Sequence, residues 1–411
     1  MSRKVVVTGV GMVTPLGAGK DTFYRRLIRG EAGIFPITSF DTSRFSSKLG
    51  AEVSDFDPKA FVSLKNLRKM DRLSRMTAAS ARMAIEDAGV TIGTANRDRV
   101  GIILGVTYGS TDIAAQFAKV LFTDGPMRVN PILVPNTVMN APAGHTSIEL
   151  GFRGINSTVN HHEASAETAI AYAAAEIKRG SADVVLAGGA DIISEFFFEI
   201  LTNFRALSPV NGGPEEARPF DSMRNGPVVG EGAGILCLEA IEHARARGAD
   251  TYCEIAGWGL SAAPSPLNDW PSDPKGPVLA ISRALASAQT TPGEIDYISA
   301  SANGGRKLDR LEAEALSAVF GGEKQRPLIS SIKGAVGESF SSGGIRAAAM
   351  AMSIREQVIP PTLGLKDPVI SLPFVMDKKK KARINCGLVN GFSSGGTFAA
   401  IAMRKIAPNV A

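Results

Sequence analysis

STVNHHEASAETAIAYAAAEIKRGSADVVLAGGAD, residues 157–191, is the stretch whose reading decides the fold. A β-rich run ends at His161–His162, and an alanine-rich helix is predicted over residues 165–179. The apolar run 183–187 then reads as a buried strand closing on a GGAD turn. Strand, helix and strand in that order predict a crossover unit in a mostly parallel or mixed sheet. Glu163 falls on the strand-to-helix elbow. An elbow of this kind holds a nucleophile beside free backbone N–H groups and the positive helix end, where a cysteine would be acidified. Here the residue is a carboxylate, which that field keeps anionic. Taken alone, a Glu at a helix start is ordinary first-turn chemistry.

The same alternation extends both ways. KVVVTGVG (4–11) reads as a strand leading to a glycine turn, residues 73–88 as a helix with Ala, Met and Ile on one face, and 100–104 as a buried strand. The pattern then recurs: strand near 254–257, helix 279–288, strand 297–300, helices 308–320 and 345–353, and a strand from 383 leading into the glycine-rich NGFSSGGT (390–397). Two α/β halves of similar element order are expected, 1–251 and 252–411, sharing one core. The proline-rich stretch 263–277 reads as a surface loop.

Bulk composition narrows the function classes. With 411 residues, 44% hydrophobic, the chain is long enough for a large core. Net charge is +5, spread along the chain except for KKKKAR at 378–383, which reads as a solvated loop, the docking patch for an acidic partner being the other reading. A disordered or nucleic-acid-binding tail would show charge blocks and low hydrophobicity, and neither is present. The cysteines Cys237, Cys253 and Cys386 lack paired metal spacing and suggest no disulfide framework. Each lies in or at an apolar run and reads as a small buried hydrophobe. No metal and no cofactor is expected. No signal peptide and no membrane span are read, and a cytoplasmic location is expected.

The elbow, its strand and the GGAD closure resemble the nucleophile segment of the condensing enzymes of fatty-acid and polyketide synthesis, the beta-ketoacyl synthase family of the thiolase superfamily. VTGVGMVTPLG (7–17), VPNTVMNAPAGH (134–145), RPFDSMRNGPVVGEGAG (218–234) and NGFSSGGT (390–397) match that family in order. The resemblance implies a thiolase-like α/β fold, two duplicated halves forming a layered α-β-α-β-α core. It places the family's cysteine on Glu163, its first histidine on Asn303 and its second on Glu338, with Lys333 on the family's lysine and Asp309 and Glu312 on the acidic residues of the next helix. Ser394 stands where single-subunit elongating enzymes carry a gating aromatic, and Phe392 belongs to the same C-terminal loop. His162 and its neighbour His161 are the imidazoles within reach of a substrate at the elbow.

Condensation needs an acyl-thioester nucleophile and donors that stabilise the developing enolate. Asn cannot take a proton at neutral pH, and an ionised Glu338 repels the charge that the family's histidine stabilises. A Lys333–Glu338 ion pair is the structural alternative for those two residues. The resemblance therefore implies a non-condensing, chain-length-factor-type subunit that pairs with an active ketosynthase, serves a chain held on acyl carrier protein, and shapes the tunnel. A heterodimer is expected and a homodimer stays open. The alternative is an enzyme of altered chemistry on carrier-bound acyl chains, such as hydrolysis, cyclisation, dehydration or acyl transfer, with Glu163 and Glu338 dividing acid and base roles. A homodimeric acyl-binding protein is a third reading.

Overall fold

In the computed structural model, residues 3–266, 269–324 and 326–406 are described. Ten strands carry the architecture: β1 Val5–Thr14, β2 Val100–Gly105, β3 Asn156–Val159, β4 Val184–Asp191, β5 Gly232–Ala240, β6 Cys253–Ala262, β7 Tyr297–Ser299, β8 Leu328–Ser330, β9 Cys386–Ser393 and β10 Thr397–Arg404. They form one hydrogen-bonded path in the order β8-β7-β9-β10-β6-β1-β5-β4-β2-β3. Its two halves are topological copies. In the first, β1/β5 and β4/β5 are antiparallel while β2/β4 and β2/β3 are parallel. In the second, β6/β10 and β9/β10 are antiparallel while β7/β9 and β7/β8 are parallel. The halves meet where the first strand of each pairs antiparallel, Val6 opposite Glu254.

Helices fill the layers: α1 Arg72–Ala88, α2 Thr111–Asp124, α3 Ala141–Leu150, α4 Ser165–Arg179, α5 Glu195–Asn203, α6 Lys275–Ser287, α7 Arg306–Phe320 and α8 Gly343–Glu356. α1 and α3 cover one face, α6 and α7 the other, and α4 and α8 lie between the half-sheets. This is a thiolase-like α/β fold. The central helices suit that place because alanine lines them: Ala166, Ala169, Ala173 and Ala174 of α4 and Ala347, Ala348 and Ala351 of α8 are inaccessible to solvent, and small side chains let backbones approach closely. Larger residues fill the remaining space; full burial of Ile170 or Ile354 contributes about 2–3 kcal/mol each. The layer also holds a buried ion pair, Arg346 with Glu167, its guanidinium also donating to the carbonyls of Ala300 and Asn390. α4 ends at Gly180, whose φ of 84° forms a left-handed cap.

Three glycine-rich segments differ from their sequence reading. β1 runs straight through Gly9 and Gly11, expected as a turn. A Cβ on Gly9 would lie 2.1 Å from the Ala84 carbonyl oxygen, and one on Gly11 1.9 Å from that of Ser80. These glycines let α1 lie directly on the strand. β6 repeats the device, with Gly257 and Gly259 pressed to 2.3 Å from Ala288 N and 2.0 Å from Ala280 O on α6. GGAD, read as a turn, is the end of β4, and NGFS, read as the start of the C-terminal loop, is the end of β9. In the other direction, β3 stops at Val159, before the two histidines. Gly9→Ala forces helix and strand apart, and a loss of about 3 kcal/mol is expected in urea unfolding; Gly19→Ala, with nothing near its Cβ position but φ at +84°, should cost about 1 kcal/mol.

The lysine run is exposed, Lys380–Lys381 forming a two-residue strand against Val358–Ile359. The cysteines are buried, and burial pushes the Cys237 thiol up to about 12 and Cys386 to about 11. No helix among the described residues is long and apolar enough to cross a membrane.

Candidate functional site

The C-terminal ends of parallel strands gather the loops where a site is built in open α/β sheets. Past β3, residues 162–164 form a single 3-10 turn before α4, and His162 adopts a φ of 54°. That positive φ, sparsely populated for a residue with a Cβ, turns Glu163 inward, where it is 6% exposed. Past β7 the chain delivers Asn303; past β8 it delivers Lys333 and Glu338; β9 ends on Ser393, and Ser394 follows it.

These residues form two hydrogen-bonded groups. In the first, Glu163 Oε2 accepts from His162 Nδ1 at 2.6 Å and from the Ser394 backbone N–H at 3.1 Å, and lies 2.9 Å from Ser393 Oγ. The Ser394 hydroxyl approaches both Glu163 oxygens at 3.3–3.4 Å. His162 Nε2 meets the Tyr108 hydroxyl at 2.9 Å. In the second, Glu338 Oε2 accepts from Lys333 Nζ at 2.5 Å and Asn303 Nδ2 at 2.8 Å; Oε1 accepts from Phe340 N–H at 2.9 Å and Ser342 Oγ at 3.4 Å. Lys333 and Glu338 are each 1% exposed.

An aromatic cluster joins the groups. The Phe340 ring packs edge-on against Tyr108 at 4.8 Å and His162 at 5.9 Å, and Phe197 lies 3.4 Å from Tyr108 between ring centres. Phe340 also has a positive φ, 58°. Asp191, at the end of β4, fixes the loops beneath: it accepts from the N–H groups of Thr107, Tyr108, Gly109 and Ser341. Burial pushes its carboxyl up to about 6 against those donors. Asp309 accepts from the N–H groups of Asn303 and Gly304 and is pushed by burial to about 7. Glu312 accepts from Ser301 and Ala302 N–H and from Asn390 Nδ2, tying β7, α7 and β9. Phe392 is elsewhere: its ring is fully buried in the second half's core, 5.5 Å from Phe398. His161 bonds Thr168 Oγ1 at 3.3 Å and His145 bonds Asn136 at 2.8 Å, both apart from these groups.

The electrostatics favour charge on both partners at the elbow. Burial lowers the pKa of His162, but its bond to Glu163 and the charges of Glu163, Asp191 and Glu338 win, and the pKa is raised. Burial raises that of Glu163, but His162 and the backbone and Ser393 donors win, and it is lowered. Tyr108 stays protonated, its pKa pushed up by burial and by the charges of Glu163, Asp191 and Glu338. The His162 contribution to stability is fully present below its unfolded value of about 6.5 and is lost as pH rises through the raised folded value. The Glu163 contribution is present above its unfolded value and is lost as pH falls through the lowered folded value. NMR titration should place the His162 ring above 6.5, and Glu163→Gln should bring it down toward or below that value.

Sequence reasoning missed Tyr108, Ser393, Phe340 and Asp191. Asp191 lay inside the quoted GGAD; Tyr108 carries no local signal, since a loop 54 residues before His162 brings it there.

The family profile described as "Beta-ketoacyl synthase, N-terminal domain" matches residues 2–244, and "Beta-ketoacyl synthase, C-terminal domain" matches 252–366. The chain is 33% identical to "3-oxoacyl-[acyl-carrier-protein] synthase 2" of Coxiella burnetii over 98% of this chain and 99% of that protein. It is 34% identical to "Nodulation protein E" of Rhizobium sp. (strain N33), over 99% and 100%. Among solved structures it is similar to "The ishigamide ketosynthase/chain length factor", with TM-score 0.92 and 30% identity over 99% of this chain and 100% of that one. A beta-ketoacyl synthase from Burkholderia phymatum STM815 gives TM-score 0.91 and 27% identity, over 98% and 100%.

Proposed function

The chain belongs to the beta-ketoacyl synthase family, and from that membership we propose that it is a non-condensing subunit that pairs with an active ketosynthase and shapes the space for a carrier-bound acyl chain. The observation that carries the proposal is the internal commitment of the two carboxylates. Glu163 and Glu338 occupy the positions that the resemblance assigns to the family's cysteine and second histidine; both oxygens of Glu338 and the Oε2 of Glu163 are bonded to donors of this same chain. A carboxylate acylated by a thioester would form a high-energy anhydride, and an enolate formed beside Glu338 would face a negative charge. Asn303 spends its amide on Glu338. Ser394, in place of a gating aromatic, spends its N–H on Glu163.

Partner binding has its own support. β3 lies at the end of the sheet path, leaving one edge unpaired among the described residues. Beside it, Ile148 on α3 and Val138 just before that helix are 68% and 50% exposed, and Phe122, Met127 and Ile132 on α2 and the turns after it are 59% to 94% exposed. Exposed large apolar side chains beside a free strand edge support an interaction site there. The similar ishigamide protein is described as a ketosynthase/chain length factor, which supports a ketosynthase as the partner and a heterodimer as the assembly. Many sequence relatives are 3-oxoacyl-[acyl-carrier-protein] synthases, which supports acyl carrier protein as the substrate's bearer. A cytoplasmic location goes with that reading.

The test is co-purification with an intact ketosynthase, then a malonyl-carrier-protein assay of this chain alone, the partner alone and both together. Condensation only in the mixture, unchanged by Glu163→Ala, is the expected result. Turnover by this chain alone, abolished by Glu163→Ala or Glu338→Ala, would overturn the proposal in favour of altered chemistry at the two carboxylates.

A further inference from the structure

A recess of about 330 Å³ lies at the end of the molecule opposite the Glu163 and Glu338 groups, where the two halves join. Arg404 pairs with Cys386, the first residue of β9, so Lys405 sits at the N-terminal end of the parallel strands, opposite the ends that carry Asn303 and Glu338. The recess is lined by Ile241 from the first half, Tyr252 from the junction, Ile354 and Arg355 from the last turn of α8, and Lys405 and Ile406 after β10. Its volume falls in the range of small-ligand sites, about 300–1,000 Å³.

Its walls are ordered in advance. The Tyr252 hydroxyl bonds Lys20 Nζ at 2.7 Å and Asp87 at 2.8 Å, and Asp87 in turn accepts the Val10 N–H. The Tyr252 ring is thereby held, and the Arg355 guanidinium stacks on it at 3.7 Å. Stacking covers one face of the guanidinium and leaves its N–H edge for a planar, bidentate acceptor, which a carboxylate matches better than a point charge does. A carboxylate already samples that edge: Asp250, fully exposed, approaches Arg355 at 3.6 Å. Lys405 is exposed and has no ion pair among the described residues. The half-buried Ile241 and Ile406 supply an apolar surface beside these cations, with Ile354 buried beneath.

We propose that this recess binds an amphiphile bearing one carboxylate on a medium-length alkyl chain, the carboxylate on Arg355 and Lys405 and the alkyl chain against Ile241 and Ile406. Asp250 is then a weak internal competitor for Arg355, as an exposed ion pair in water is.

The test uses the full-length protein and decanoate. A diazirine-bearing decanoate is photolysed and the adducts mapped by mass spectrometry, and calorimetry compares decanoate with decanol and with acetate. The expected result is labelling within 241–252, 354–355 and 405–406, saturable binding of decanoate, and neither decanol nor acetate binding comparably. Arg355→Gln with Lys405→Gln should weaken binding at least tenfold, and Asp250→Asn should tighten it two- to fivefold. Labelling confined to the surroundings of Glu163 and Ser394, equal binding of decanol or acetate, or an unchanged double variant would each overturn the proposal. The labelling map needs no substitution, so it decides even if a variant fails to fold.

Discussion

Glu338→Ala destabilises the protein by about 3–5 kcal/mol, because it leaves the Lys333 ammonium buried without its counter-charge. Both side chains are almost inaccessible, and no bulk water reaches the 2.5 Å contact between them. The substitution also strands two donors, Asn303 Nδ2 and the Phe340 N–H, each costing about 1–3 kcal/mol when left unsatisfied in the interior. Lys333→Met leaves Glu338 with three neutral donors and an uncompensated charge, so it too is costly. Lys333→Met with Glu338→Gln removes both charges and keeps an acceptor for the Phe340 N–H. The double variant should therefore lose less than the two single losses added, with a coupling of at least about 1.5 kcal/mol in a double-mutant cycle. Urea unfolding measures it. A loss below about 1 kcal/mol for Glu338→Ala would mean that the ion pair is not closed off from water in solution.

That result also separates two uses of the same residues. A carboxylate kept for catalysis needs a free oxygen toward its substrate, whereas one kept for structure is fully bonded within the chain. The Glu338 side chain is bonded from four directions, by residues on the loops after β7 and β8 and at the start of α8. The Glu163 group is built differently, from His162 beside it and the two serines that close β9. Glu338 thus has both oxygens bonded within the chain, whereas Glu163 directs its close donors to Oε2 and leaves Oε1 with only the 3.4 Å approach of the Ser394 hydroxyl.

How much of this was legible beforehand follows from what is local. α4, its strand β4 and the alternation of elements could be read because the alanine-rich period and the apolar runs are set by neighbours in sequence. The Lys333–Glu338 contact could be raised as an alternative because five residues separate the pair. The glycines could not be read rightly. Gly9 and Gly11 look like a turn until α1, some seventy residues later, is laid against them, and Gly257 and Gly259 need α6 in the same way. The repeat itself was visible as element order only. Its clearest residue trace, TGVG (8–11) beside AGWG (256–259), gains meaning only once both are seen to sit under a helix. Tyr108 carries no motif, and Phe340, though it sits in the segment that holds Lys333 and Glu338, gave no sign of its partner; long-range packing brings both to His162.

Val138→Asp combined with Ile148→Asp should weaken pairing with the ketosynthase at least 100-fold, about 3 kcal/mol, and remove most of the activity of the mixture while this chain stays folded. The two side chains are 50% and 68% exposed, so aspartate at either position is hydrated in the isolated chain and costs it little. Both flank the free edge of β3: Val138 precedes Met139, whose sulfur meets Asn160 just past the strand, and Ile148 is on α3, which packs on β3. On association the new carboxylates would lose water and gain no counter-charge, a penalty of several kcal/mol that falls on the complex alone. The pair of measurements is a titration of the variant against the ketosynthase and a thermal melt of the variant by itself. A normal melt with pairing lost places the interface beside β3. A normal melt with undiminished pairing and activity moves the interface elsewhere, because two buried, unpaired carboxylates at the centre of a protein–protein contact have no route to being silent.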